Sequence, residues 1–483
     1  MLNQTNTRGR AGRKAFLPWR KKGLLTLLPL LAVAGCDIGS LLEVEDPDVI
    51  LPGAIEGVGT LPAVHAHAIG EFSVAYGGNP ATFTEGQILE AGMLTDELIH
   101  TGTFDSREII DRRVVLDSNG SIRDAYHNLQ RARAAADFAA EVFADLAPNT
   151  ESHAEVQNLE GYAEVIFGEN YCSGVPFSRQ TIAGEIQYGN PLTTVQMFES
   201  GVGSFESALA IATAAGSAEQ QSLARVGLGR ALLDLGRFSE AAAAVAAVPT
   251  NFEYVTFHSA GSSRQNNAVW VSVTNGGTFS VASQEGNNGL PFRTRGDIDG
   301  SISDPRIPAV HIGTAERGTL RPHEHWGQLK YPLRESPTVL ASGVEARLIE
   351  AEAALNQGAS GVPQFVSIHN DIRDDVGLAP LNLVDVAAMS QPERVDLHFE
   401  ERAYWLYLTS HRLGDLRRLL WDYGRAQADV FPVGPYFRGT PPDGVATGND
   451  YGTHTNYPVH IDERNNPNFE DCLTRNDEAG RHG

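Results

Sequence analysis

From about residue 61 onward, apolar residues recur at three- and four-residue spacing, the period of helices that each bury one face. The clearest stretch runs from Ser121 to Ala147, where Ile122, Tyr126, Leu129, Ala132 and Ala136 form one stripe and Ser121 can cap the start. Ser152 to Gly168 repeats the pattern and predicts a second helix folded back on the first. Val64 to Ala68 belongs to an earlier helix, and Ile88 to Ile99 to a short helix or turn. Within residues 221–249, Leu228, Gly229, Leu232, Gly236 and Ala241 fall at tetratricopeptide-repeat positions, where small residues let two helices approach closely. Gly236 ends the first helix of that pair and Pro249 stops the second. Hairpin-like patterns recur at 344–376 and 392–420. The fold class expected is mostly α. Tetratricopeptide-like helical hairpins over about 121–249 and 344–420 would support a loop-rich ligand-binding face with a few short β-hairpins.

Between about 250 and 340 the helical period is lost. Residues 269–283 alternate around Asn275-Gly276-Gly277 and predict a short β-hairpin. The chain is then loop-rich to about Pro337, and the C-terminal region from about 431 to 483 is again irregular. Long ordered loops on a helical scaffold are where binding surfaces are built.

The N-terminus reads as a targeting segment. Arg20-Lys21-Lys22 precedes the apolar run Gly23 to Ala34, far shorter than the ~20 residues that span a bilayer as helix. It fits the hydrophobic region of a secretory signal peptide, and Val33-Ala34-Gly35-Cys36 resembles a lipobox. Residues 1–35 are therefore expected to be removed and Cys36 to carry the lipid that anchors the chain to the membrane. Residues 36–60 would form an acidic tether, and 61–483 a single domain. No later segment is long and apolar enough to span a membrane.

Residues 1–35 hold seven of the 37 Lys and Arg and none of the 60 Asp and Glu, so the remainder carries a formal charge of about −30. Such a surface repels phosphate, which excludes nucleic acid as a partner. Lys330 is the only lysine after residue 22. Beyond Cys36 there are two cysteines, Cys172 and Cys472, an even pair that suits a disulfide in an exported chain. Two independent buried thiols are the alternative.

Catalytic chemistry is hard to find. No Gly-rich phosphate cradle and no Gly-x-Ser-x-Gly elbow appears, and no nucleophile–base set stands out. His65 and His67 sit in an apolar helical context that suits packing, and His323-Glu324-His325 has no evident third ligand, so no metal is expected. Asp297, Asp299, Ser301, Ser303 and Asp304 alternate like calcium ligands, but the glycine is misplaced for a helix-loop-helix calcium loop. A structural calcium is the one cofactor left open. For binding a small polar ligand that has an apolar face, the useful groups are exposed aromatic faces flanked by hydrogen-bonding side chains. Two loops offer both: His100, Phe104 and Arg107 in one, Trp326 and Tyr331 in the other.

Several segments together resemble those of one known family. Arg347 to Ala353 looks like that family's helix before its repeat turn, and Asn370, Ile372, Arg373, Gly377 and Leu378 match its "N-x-I-R-x-x-x-G-L" segment. Glu400-Glu401-Arg402 followed by Arg412, Asp415, Leu416, Arg417 and Arg418 is the most specific match, although Ser410-His411 stands where the family pattern has Glu-Gly. Pro458, Val459, Glu463 and Asn466-Pro467-Asn468 resemble the closing segment; Thr95-Asp96-Glu97 and Tyr126 with Asn128 match weaker early motifs. Physically, Glu401, Arg402, Arg412, Asp415 and Arg417 alternate in sign and suit buried carboxylate–guanidinium pairs that lock helix to loop.

Together these segments resemble the SusD/RagB family of nutrient-uptake outer-membrane lipoproteins, and the resemblance implies a surface-exposed binding protein, not an enzyme, that captures oligosaccharide or peptide. It would act as a lid and deliver its ligand to a SusC-like TonB-dependent outer-membrane barrel. Asp37, directly after the lipidated cysteine, would mark inner-membrane retention in enteric bacteria, a rule foreign to the lineages of this family. The alternative is a tetratricopeptide-type outer-membrane scaffold that binds a protein and no small ligand. A lipoprotein hydrolase would need a catalytic constellation the sequence does not offer.

Overall fold

The computed structural model describes residues 57–293, 304–315, 323–438, 445–472 and 475. The segment read as a signal peptide, Cys36, the tether up to residue 56, residues 297–303 of the possible calcium loop, and Arg321 and Pro322 lie outside the described residues.

A short 3-10 turn (Gly57–Thr60) leads into helix α1 (Leu61–Gly77), followed by α2 (Gln87–Met93), strand β1 (Leu98–His100) and α3 (Asp105–Asp111). The expected hairpin is α4 (Gly120–Leu146) against α5 (Glu151–Asn170). Ile122, Tyr126, Leu129, Ala132 and Ala136 are all buried. The cap of α4 is Asn119, not Ser121: the Asn119 side chain accepts the Ser121 N–H at 2.8 Å. The Ser121 hydroxyl bonds Ser106 on α3 instead, at 2.7 Å.

Two antiparallel pairs of two-residue strands come next, β2 (Val175–Pro176) with β5 (Pro191–Leu192) and β3 (Arg179–Gln180) with β4 (Ile186–Gln187). Helix α6 (Thr194–Ala215) occupies a stretch that the apolar periodicity leaves unassigned; a Thr193–Gln196 capping box starts it. It lies so close to α5 that a Cβ on Gly168 would stand 2.4 Å from the Phe198 ring. Beyond it lie α7 (Ala218–Asp234) and α8 (Phe238–Val245), the pair read from its tetratricopeptide spacing. Gly236 turns between them at φ 73°. Gly229 performs the expected close approach, since a Cβ there would meet the Val245 methyl at 2.4 Å.

The strand β6 (Glu253–Thr256) is followed by a π-helix (Trp270–Asn275) and β7 (Phe279–Val281). The β-hairpin expected over 269–283 therefore does not form. Its first half is helical, and its second half pairs with β1, Leu98 opposite Val281 and His100 opposite Phe279. Strands β8 (Ala309–Ala315) and β9 (His323–Gln328) pair with each other, and β10 (Thr338–Ser342) returns to β6. The second helical block is α9 (Gly343–Leu355), α10 (Val362–Asp375), α11 (Leu383–Ala388), α12 (Gln391–Trp405), α13 (Arg412–Trp421) and α14 (Gln427–Val430). Strands β11 (Pro435–Arg438) and β12 (Val445–Asp450) precede a closing irregular segment. The architecture is mostly α: helical hairpins with short two-stranded pieces between them. No helix among the described residues is long and apolar enough to cross a membrane.

The charged residues of the most specific motif are buried where α9, α12 and α13 meet. Arg402 holds Asp415 from Nε and Nη2 at 3.0 and 2.9 Å, and Arg418 reaches Asp415 at 2.7 Å and Glu352 at 2.5 Å. Glu401 is clamped by Arg373 of α10 at 2.6 Å and by Arg306 at 2.7 Å. Arg306 also takes Asp304, the last member of the possible calcium loop, at 2.7 Å. Arg412 grips Asp96 through two bonds of 2.7 and 2.9 Å, so the early Thr95-Asp96-Glu97 motif and the late one are partners in space. Arg417 donates to the carbonyls of Gly168, Glu169 and Tyr171, tying α13 to the end of α5 through backbone oxygens. Ser410 stands at φ 64°, backbone that favours glycine, and its hydroxyl donates to the Gln87 carbonyl at 3.1 Å.

Buried Glu97 and half-buried Lys330 both bond the backbone just before this turn. Glu97 Oε1 accepts the Leu408 N–H at 3.0 Å, and Lys330 donates to the Tyr407 carbonyl at 2.6 Å. Burial pushes the Glu97 carboxyl up to about 8 and the Lys330 ammonium down to about 8. A raised carboxyl favours the folded state fully below its unfolded value, near 4.5, and that advantage is lost as pH rises through about 8. Stability should fall across that window, by at most about 1 kcal/mol per pH unit for this one group. Urea midpoints measured from pH 5 to 8 check this, and Glu97→Gln should flatten the slope.

Candidate ligand-binding face

The segment after α1 is a tight turn. Asn79 N–H bonds the Thr84 carbonyl at 2.9 Å, Thr84 N–H returns to the Asn79 carbonyl at 3.0 Å, and the Asn79 side chain accepts the Ala81 N–H at 3.1 Å. Closing this turn puts Phe83 at φ 56°, a strained conformation for a bulky residue. The residue is 78% exposed. Strain that displays an apolar ring to water is an observation that points to a binding role.

Arg107 of α3 lies beneath. It is buried, pairs with Glu85 at 2.6 Å and donates to the Phe83 carbonyl at 2.8 Å. Burial raises the Glu85 carboxyl, an effect that Arg107 opposes. The Arg107 guanidinium also lies 4.8 Å from the centre of the Phe104 ring, which is 60% exposed. One arginine thus ties together the two segments that carry the exposed rings. Polar groups adjoin them: Thr84 hydrogen-bonds Asp124 of α4 at 3.5 Å, and Asn119 holds the Ser106 carbonyl at 2.8 Å. Aromatic faces beside hydroxyl, carboxylate and amide groups suit a sugar ring, whose C–H face stacks while its hydroxyls bond.

Of the residues expected at a ligand face, Phe104 is at this surface and Arg107 supports it from below. His100 is buried on β1, its backbone N–H held by Asp111 at 2.7 Å and its ring against Phe279 at 6.0 Å. Trp326 and Tyr331 are only 4% and 2% exposed, so neither can serve as an open platform. The reason is that neighbouring elements tie both segments down. Trp326 N–H bonds Ser280 of β7 at 2.9 Å, His325 reaches the Val273 carbonyl of the π-helix at 2.8 Å, and Tyr331 donates to the Leu408 carbonyl at 3.0 Å. Phe83 was missed by sequence reasoning. Its one signal is an aromatic close behind the turn-rich Gly77-Gly78-Asn79-Pro80 stretch.

Two other acidic features stand apart. Asp111 and Glu285 are both buried; burial raises Asp111 to about 6, and Tyr436 donates to Asp111 at 2.7 Å and Tyr451 to Glu285 at 2.8 Å. Being buried, the pair faces no substrate. A cleft of about 550 Å³ between α4, α5 and α6 is lined by Asp137, Glu141, His153, Glu160, Glu164 and Ser200. The acidic lining suits a cationic guest better than an anionic one, and burial, which raises both Glu160 and Glu164, works against that preference by favouring their neutral forms.

No family model matches the sequence, and no curated protein does. Solved structures match the fold. A SusD-like carbohydrate-binding protein from Bacteroides vulgatus superposes with a TM-score of 0.61 at 15% identity, over 86% of this chain and 98% of its own. A SusD-like protein from Bacteroides fragilis gives 0.61 at 14% identity, over 88% and 100%. Surface glycan-binding protein A from Bacteroides uniformis gives 0.56 at 13% identity, over 86% and 99%. Over 86–88% of its length, the chain shares the fold of these three proteins.

Proposed function

We propose that this chain is a SusD/RagB-family lipoprotein, anchored at the outer membrane through Cys36 and exposed at the surface, that binds oligosaccharide and delivers it to a SusC-like TonB-dependent barrel. It catalyses no reaction in this reading. The observation that carries the binding role is the pair of exposed rings, Phe83 and Phe104, joined through Arg107 on a SusD-type scaffold. Two proteins of that fold are described as carbohydrate- or glycan-binding.

Phe83→Ala and Phe104→Ala should each weaken oligosaccharide binding about tenfold, or about 1.4 kcal/mol. Because both rings are exposed, the urea midpoints should move by no more than about 0.5 kcal/mol equivalent. Calorimetry with glycans selected on an array checks this; unchanged affinity in both variants would remove the face from consideration. Peptide binding abolished by the same substitutions would keep the face and change the ligand class. Delivery is tested by purifying the tagged protein from its own outer membrane, where a stoichiometric TonB-dependent barrel should accompany it. The acidic cleft between α4, α5 and α6 favours a second reading, a tetratricopeptide-type scaffold holding a basic protein segment. Recovery of such a partner without a barrel would support it.

A further inference from the structure

On the exposed side of α4, His127 meets two side chains of one distant segment, His460 and Asp462. His127 Nε2 lies 3.4 Å from Asp462 Oδ2, and His460 Nδ1 lies 3.3 Å from the same oxygen. All three donor atoms fall within 4.8 Å of one another, the one such group of three among the described residues. Zinc binds imidazole nitrogen and carboxylate oxygen at about 2.0–2.2 Å in tetrahedral geometry, which places neighbouring donors about 3.4 Å apart. The two separations here already have that value. His460 is buried and His127 half-buried, so both rings are held by their surroundings.

We propose that His127, His460 and Asp462 form a binding site for a divalent ion of the zinc class, which clips the closing segment of the chain to helix α4. Two imidazoles and one carboxylate are a donor set that zinc, nickel and cobalt accept and that magnesium and calcium disfavour. Water would complete the coordination. The inference stands independently of the glycan-binding reading.

A guanidinium competes with the ion for this carboxylate. Arg123, one turn before His127 on α4, donates to Asp462 Oδ2 at 2.7 Å and also lies 3.7 Å from Asp124. It is exposed, so on metal binding it can release Asp462 and remain against Asp124. The His460 Nδ1 lone pair now accepts the Asp462 N–H at 3.2 Å, and the ion would take that lone pair. Nearby, Glu463 is engaged by Tyr126 at 3.0 Å and Asp117 by Arg464 at 3.1 Å, so neither is a ready fourth ligand.

The test uses untagged protein stripped with chelator and titrated with zinc chloride, followed by calorimetry and thermal denaturation. One equivalent should bind and raise the melting temperature. His127→Gln and Asp462→Asn should each weaken binding about tenfold or more and abolish the thermal shift. Arg123→Ala should tighten binding, an outcome that damage to the fold cannot mimic. Cobalt in place of zinc should give the visible absorption of a tetrahedral site, lost in His127→Gln. Absence of saturable binding would overturn the proposal. So would one equivalent bound equally by the wild type and both ligand variants, which would put the ion on other histidines.

Discussion

Replacing Glu352 with alanine should cost the folded state roughly 3–5 kcal/mol, the range for removing one partner of a buried ion pair. Glu352 is fully buried. It accepts from Arg418 at 2.5 Å, from the Tyr423 hydroxyl at 2.9 Å and from His398 at 3.2 Å, with Arg402 at 4.0 Å. Truncation leaves Arg418 with Asp415 and Asp234 alone, a net change of one charge in a site closed to solvent. Glu352→Gln keeps the shape and loses the charge, so it should fall between wild type and alanine. Urea denaturation reads both: the midpoint should drop while the slope stays constant. A loss below about 1 kcal/mol for alanine would mean that the cluster is solvated or already unpaired.

The same network sets the acid limit. Burial alone would raise Asp415 and Glu352, but the guanidiniums overturn it, Arg402 and Arg418 for Asp415 and Arg418 foremost for Glu352. Asp415 is brought down to about 2, and Glu352 lies well below the carboxylate range. Depressed carboxyls contribute stability above their unfolded values, near 4 for both, and lose it as pH falls through the folded values. Acid unfolding should therefore concentrate between about pH 4 and pH 2, opposite in direction to the loss that Glu97 causes from pH 5 toward 8. A stability maximum near pH 5 is the combined expectation.

How much of this was legible in the chain depends on where the determining contacts lie. The α4–α5 and α7–α8 hairpins were readable because their buried stripes repeat within one helix, and because Gly229 and Gly236 each do a local task. Helix α6 was not, since Thr, Ser and two glycines, Gly201 and Gly203, dilute its propensity and its start depends on the Thr193–Gln196 box. The alternation at 269–283 was genuine but misleading. The segment's partner is β1, about 180 residues earlier, and that pairing freed the first half to coil as a π-helix. Aromatics in polar-looking loops gave the poorest guide: Trp326 is buried because β7 and the π-helix cover β9, which no local pattern records. Phe83 is exposed for the converse reason, a strained turn that holds it out. The His127–His460–Asp462 group joins residues more than 300 positions apart and has no sequence spacing to find.

Removing the cross-link between Cys172 and Cys472 should be the other large loss. The two cysteines are joined in the structure, 300 residues apart in sequence. In the chain-entropy model, opening a loop of that length relaxes the unfolded chain by roughly 6 kcal/mol, less whatever residual structure the reduced unfolded chain keeps. The folded state has reason to survive the change. Cys172 N–H bonds the Tyr457 carbonyl at 2.9 Å, Tyr457 N–H bonds the Asn170 carbonyl at 2.8 Å, and the Tyr457 hydroxyl reaches the Glu90 carbonyl at 2.8 Å. These contacts hold the closing segment to the end of α5 without help from sulfur. The double variant Cys172→Ala, Cys472→Ala should therefore fold with the same circular dichroism but unfold at lower urea, with a steeper slope because its unfolded chain exposes more surface. Buried Cys172 should also resist reductant until urea opens the fold. If the variant instead lost the closing segment, seen as rapid proteolysis beyond about residue 455 with the rest intact, the disulfide would be holding the segment itself and not merely restricting the unfolded chain.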